Sequence, residues 1–265
     1  TTMNGILKEE FSRAFYNRRY ALVALLAAIS FTYGLSRVMY FQVSSSLDAV
    51  TIWQLVLQRG SYGFFAVLMA GLPFADSLLH DRRHRFIDQI LLRSRYRQYL
   101  SAKILATLCA GMTAVAAPAL ILLMGCCLFF PIDAQFTLQT TLGISNLLHP
   151  SVIEPGSSLS LALPGFVLLS LLMLALFGAV YALLGLGSSF LVRNPFIVLG
   201  IPFLGYSLGY FILPTSSRLA WLISTEAALL PSSTLASPIL QYLAILTVFA
   251  ACLLLWGKKE RVLFN

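Results

Sequence analysis

Residues 80–103 read "HDRRHRFIDQILLRSRYRQYLSAK" and carry seven of the chain's eighteen lysines and arginines. The rest of the 265-residue sequence is of the opposite kind, with 58% hydrophobic and only 11% charged residues. A soluble domain carries about a quarter of its residues as charges. A mean hydropathy of +0.84 therefore describes a membrane domain. At about 20 residues per crossing, the length accommodates roughly six spans in one unit, residues 1–265, and leaves no room for a soluble catalytic domain.

Working outward from the charged stretch, the apolar runs on either side become spans. Span two covers residues 62–79, with Pro73 inside it and Asp76 near its end. Span three begins after Lys103 and meets no charge until Asp133. Span one covers residues 20–40, with Arg37 near its far end. Span four falls within residues 163–192, span five within 196–213 and span six within 239–256. No small-residue cleavage site follows the first apolar run, so that run reads as a retained span. Ahead of it, residues 1–19 hold Ile6, Leu7, Phe11, Ala14 and Phe15 at helical spacing among Lys8, Arg13, Arg18 and Arg19. That pattern predicts an amphipathic helix in the membrane interface.

Charge then orients the spans. With both termini cytoplasmic, fifteen of the eighteen basic residues fall inside and only Arg37, Arg59 and Arg218 outside. The acids divide six to four, so the net charge of +8 is a topology signal. It does not mark a nucleic-acid surface. Of the outer loops, residues 44–60 predict a short helix, and residues 131–165 a long loop with Pro131, Pro150, Pro155 and Pro164. Residues 214–238 can dip back into the outer leaflet.

Several motifs reduce to simpler readings. "GYSLG" (205–209) matches a nucleophile elbow, but it lies inside a span with no histidine at its depth. Gly205 and Gly209 read instead as a helix-packing face. His80 and His84 stand four apart without a third metal ligand, so no metal site is expected. The four cysteines lie within apolar runs and read as small buried hydrophobes. Arg37 and Asp76 are the ionisable residues nearest a span interior. They are candidates for a gate or a substrate path. No G-x-x-x-x-G-K-[ST] occurs, so any ATP dependence comes from a partner.

Within residues 80–102, Phe86, Ile87, Ile90 and Leu91 form an apolar stripe, with Asp81, Arg85 and Asp88 on the other side. Asp81 and Arg85 stand at pairing distance along one helix. The segment reads as an amphipathic helix on the cytoplasmic side, suited to docking a cytoplasmic partner. Anchoring to anionic lipid explains the basic residues but not the acids and the apolar stripe.

Here the chain resembles the permease subunits of the type-2 exporter class of ATP-binding-cassette transporters. The family's turn between spans two and three runs acid-Arg-x-x-Gly, then a leucine pair, a tyrosine-leucine pair and a lysine. Asp81, Arg82, Leu91, Leu92, Tyr99, Leu100 and Lys103 stand in those places, with Arg85 at the glycine and Ser94 at a common proline. The resemblance implies an all-α membrane protein of six transmembrane helices, both termini cytoplasmic. It makes residues 80–102 the coupling helix, with Asp81, Arg82, Arg85, Phe86, Asp88, Ile90 and Leu91 transmitting force from the ATPase. It implies cytoplasmic ATPase subunits and a second permease as partners, beside membrane lipid. ATP and magnesium are held by the ATPase, and this chain itself does no catalysis. The expected setting is the bacterial plasma membrane, and the expected role is export of a hydrophobic or amphipathic lipid, peptide or drug-like compound. The alternative reading is a non-catalytic scaffold, immunity or sensor protein that binds a peptide without an ATPase.

Overall fold

A computed structural model describes residues 3–40, 49–83, 96–131, 159–192, 194–212 and 236–263. Every regular element among them is a helix. In chain order these are α1 (Met3–Phe15), α2 (Arg19–Tyr40), α3 (Ala49–Arg59), α4 (Tyr62–Gly71) and α5 (Ser77–Arg83). Then come α6 (Tyr96–Phe129), α7 (Leu159–Leu191), α8 (Pro195–Ile212) and α9 (Ala236–Leu263).

Four of these, α2, α6, α7 and α8, are long and apolar enough to cross a membrane. The shortest has 18 residues, which at 1.5 Å per residue spans about 27 Å, near the thickness of a hydrocarbon core. The sixth expected span, residues 239–256, lies within the continuous helix α9, whereas the second is divided into α4 and α5. Pro73 lies at the division, where it lacks the N–H that would bond the Met69 carbonyl and its ring crowds that turn.

Span three also starts earlier than its first apolar run suggests. α6 has 34 residues, about 51 Å, and Tyr96–Lys103 forms its first two turns. The last residues of the segment expected as a separate coupling helix, 96–102, are thus continuous with span three. At the other loop, helix α7 already includes residues 159–165, which were expected to be irregular.

α7 is the most buried of the four long helices and forms the centre of the bundle, with α6, α4, α8 and α9 around it. α6 and α7 cross at Gly111 and Gly178. A Cβ on Gly111 would collide with Ala182 and stand 2.8 Å from the Gly178 carbonyl oxygen, so glycine permits the approach. The face offered by Gly205 is different. Nothing lies within 4 Å of a Cβ there, and Leu204 and Leu208 beside it are exposed. Among the described residues, Gly205 therefore packs against no other helix.

α3 is the short helix expected within residues 44–60, and it is packed into the bundle. Ala49 to Gln54, Val56 and Leu57 are all buried, and the helix is inserted between α2 and α6. Thr51 and Gln54 are buried with the apolar residues, so neighbours enclose the helix on most of its circumference. The Trp53 indole N–H donates to the Ala119 carbonyl (2.9 Å), and the Tyr62 hydroxyl to that of Val115 (2.6 Å). Pro118 lies between these residues on α6, and the carbonyl its missing N–H would serve is that of Ala114.

α1 does form, but its apolar stripe is taken up by protein. Ile6 and Ala14 are buried, and Ala14 packs with Phe74, Ala106 and Ala110, with Phe11 alongside. Phe15 and Tyr16 remain exposed at its carboxyl end.

Candidate functional site

α5 is only seven residues long, yet it is fastened on two sides. Asp81 is 1% exposed, and a carboxylate so placed needs partners. It has three. Arg13 donates to its Oδ1 (2.6 Å), the Tyr99 hydroxyl to its Oδ2 (2.5 Å), and the Lys103 ammonium to the same oxygen. Tyr99 and Lys103 are four residues apart on α6, so one face presents both. Lys103 is fully buried, and Phe74 and Tyr99 turn ring faces towards its ammonium at 5.5 and 4.9 Å.

Glu10 of α1 completes the arrangement. Its Oε1 accepts from Arg13 (3.2 Å), and its Oε2 stands 3.6 Å from Lys103 without a hydrogen-bond partner. The four charges form a closed ring of alternating sign, Glu10, Arg13, Asp81 and Lys103, drawn from three helices. The ring is neutral when all four are ionised, which makes burial tolerable. Burial pushes the Glu10 carboxyl above its ordinary range, outweighing Lys103 and Arg13, whose charges lower it. Burial also acts on Asp81. There the charge of Lys103 and the hydrogen bonds from Arg13, Lys103 and Tyr99 prevail, and the carboxyl lies below its ordinary range.

Arg82 faces the other way. Its guanidinium stacks 5.0 Å from the Phe190 ring centre and donates to the Phe190 carbonyl (3.5 Å). That carbonyl belongs to the last turn of α7, where unpaired acceptors and the helix dipole favour a cation.

A second polar cluster lies at the Pro73 break. Asp76 is buried and paired with Arg19 at the start of α2. The same guanidinium donates to the Leu72 carbonyl (3.3 Å), and the Asn17 side-chain amide donates to that of Pro73 (2.8 Å). An unbroken helix would give these two carbonyls to the N–H groups of Asp76 and Ser77. Ser77 N–H instead bonds the Phe74 carbonyl at 3.1 Å.

The sequence-predicted residues thus separate into three groups. Asp81, Arg82 and Asp76 come together at one end of the bundle. Asp81 is held by Arg13 and Lys103, and its expected partner Arg85 lies outside the described residues. Arg37 stands apart, exposed on α2, donating to the Tyr33 hydroxyl one turn earlier at 3.2 and 3.0 Å. Arg85, Phe86, Asp88, Ile90 and Leu91 lie outside the described residues.

Glu10, Arg13 and Arg19 carry no individual signal in the sequence. Lys103 has one, since it stands among apolar residues in "SAKILATL" and a lysine there needs a counter-charge. Among the described residues no group of three histidine, cysteine or acidic side chains could hold a metal. What the arrangement can do is hold three helix ends in one register.

Comparison of the chain with protein-family models, with curated proteins and with solved structures finds no match in any of the three.

Proposed function

We propose that this chain is the membrane-spanning permease subunit of an ATP-binding-cassette exporter of the type-2 class. In this reading it has six spans with both termini in the cytoplasm, and the apolar part of α9 and the α4–α5 pair complete the four long helices. Residues 80–102 contain the coupling helix, which receives the motion of a separate ATPase. A second permease subunit, of the same or another sequence, supplies the other half of the pathway. Neither subunit performs covalent chemistry, and ATP and magnesium belong to the ATPase. The cargo is a hydrophobic or amphipathic compound, moved outward across the bacterial plasma membrane.

The observation that carries this reading is the ion ring. It joins the end of span two to the beginning of span three through Asp81, Tyr99 and Lys103. Those are the two flanks of the cytoplasmic turn, and they also hold the acid, tyrosine and lysine places of the family resemblance. A turn that only anchored to lipid would need no buried, charge-balanced fastening at both ends. Asp81 is enclosed, so its part in coupling is to position the turn and not to touch the ATPase.

The test is purification of the chain in a gentle detergent, with mass spectrometry of what accompanies it. A bound ATPase supports the reading, and a second permease in the same fraction decides between like and unlike pairs. Recovery of the intact chain with no ATPase, and no crosslink to one from its cytoplasmic side, refutes the reading and leaves the scaffold alternative.

A further inference from the structure

We infer that Asn17 and Arg19 are positioning residues that pin the bend of span two, so that the base of span one governs the angle between α4 and α5. The consequence for transport rests on the permease reading; the pin itself does not.

Four observations meet at this place. The turn between α4 and α5 leaves the Leu72 and Pro73 carbonyls without their helical donors, the Ser77 N–H bonding the Phe74 carbonyl instead, and in an apolar setting such groups must be satisfied elsewhere. Arg19 and Asn17 satisfy them at 3.3 and 2.8 Å, from a part of the chain more than fifty residues away. Arg19 also neutralises buried Asp76, so one guanidinium serves a carbonyl and a carboxylate together. The bend is also fitted to α7, since a Cβ on Gly185 would stand 2.7 Å from that of Ala75.

The break therefore has two sets of hydrogen bonds. In the bent set, donors come from Asn17 and Arg19. In the wound set, the same carbonyls would accept from the N–H groups of Asp76 and Ser77, and α4 would run on into α5. The Ser77 hydroxyl, buried without a hydrogen-bond partner, is a group left over in the bent set. An element with two mutually exclusive bonding patterns is the kind that converts a small displacement into a change of state. Here the displacement is that of the α1–α2 junction, residues 16–19, relative to the break.

The experiment is amide hydrogen exchange of the full chain in lipid nanodiscs, comparing wild type with Arg19→Gln, Asn17→Ala, Asp76→Asn and Arg19→Lys. Arg19→Gln should raise exchange over residues 74–80 about tenfold, as a local opening, while α6 and α7 keep their protection. Asp76→Asn should add little to Arg19→Gln, since both remove the same pin. Arg19→Lys, which keeps the charge on Asp76, should restore part of the protection. Asn17→Ala is the mild variant, should any of the others fail to accumulate, and should give a smaller rise over the same residues. Unchanged exchange at 74–80, or an equal rise throughout α2, α6 and α7, overturns the inference. The permease reading fails separately, if the wild-type chain brings no ATPase. With an ATPase present, Arg19→Gln should lower ATPase activity stimulated by the assembly, and unaltered stimulation would overturn the pin's part in transport.

Discussion

Replacing Lys103 by Met tests the ion ring most directly. The methionine nearly preserves volume and removes one positive charge from a neutral set of four. Asp81 keeps Arg13 and Tyr99, but Glu10 keeps only Arg13, and the ring is left with a net charge of −1. Removing one partner of a buried pair costs about 3–5 kcal/mol, mostly as the penalty on the charge left behind. Arg13 has a side chain 33% exposed, so water reaches one edge of the ring. That softening favours the lower end, about 3 kcal/mol. For a chain of this size the corresponding fall in melting temperature is about 6–10 °C. The assay is unfolding in mixed micelles followed by Trp fluorescence, with buried Trp53 among the chain's three tryptophans. The decisive comparison is Lys103→Met with Glu10→Gln. The pair removes one charge of each sign and leaves Asp81 with Arg13, so it should recover at least about 1 kcal/mol of the loss. A double variant less stable than Lys103→Met, or a single variant within about 0.5 kcal/mol of wild type, would refute the ring as a charge-balanced unit.

Three further outcomes follow from the packing and the charges. Gly178→Leu should cost about 3 kcal/mol or more and lower the yield of folded protein, because its first carbon would already stand 2.5 Å from the Gly111 carbonyl oxygen. Tyr62→Phe should cost about 1–2 kcal/mol in the same unfolding assay, the loss of a buried hydroxyl bonded at 2.6 Å to the Val115 carbonyl. The pH dependence has two parts of opposite sign. Glu10, with its carboxyl raised, contributes stability that is full below pH 4.5 and lost as pH rises through its folded value. Asp81, with its carboxyl lowered, contributes stability that is present above pH 3.8 and lost as pH falls through its folded value. Stability profiles of Glu10→Gln should lack the first loss and those of Asp81→Asn the second, and a profile unchanged in both would refute the assignment.

Local pattern carried much of the fold and little of the site. Helix α2 begins one residue from its expected start because an apolar run bounded by Arg18–Arg19 has few other solutions. The presence of α3 was legible, but its insertion was not. Periodicity records which faces are apolar and cannot tell an outer leaflet from a protein interior. Pro73 was visible inside span two, while the side chains that accept its consequences come from Asn17 and Arg19, on another helix junction. Asp81 shows the limit most clearly. Helical spacing points to Arg85, four residues on, whereas Arg13 and Lys103 lie 68 and 22 residues away. Partners at such separations leave no trace in the spacing of a single sequence. Lys103 has a signal in its apolar surroundings, but from the basic stretch alone it reads only as the residue that opens span three.

The glycine crossing of α6 and α7 divides the longer helix unequally. From Gly111 to Lys103 is eight residues, about 12 Å, and from Gly111 to Phe129 is eighteen, about 27 Å. The crossing is a close approach of two backbones and resists translation, so it is a natural fulcrum. A sideways shift of the Lys103 end by about 1 Å would then swing the opposite end by about 2 Å. The far end is also where the Pro131 carbonyl accepts from the Ala49 N–H at 2.9 Å, at the head of inserted α3. An event confined to the buried charges would thus reach the other side of the bundle as leverage, enlarged by geometry alone.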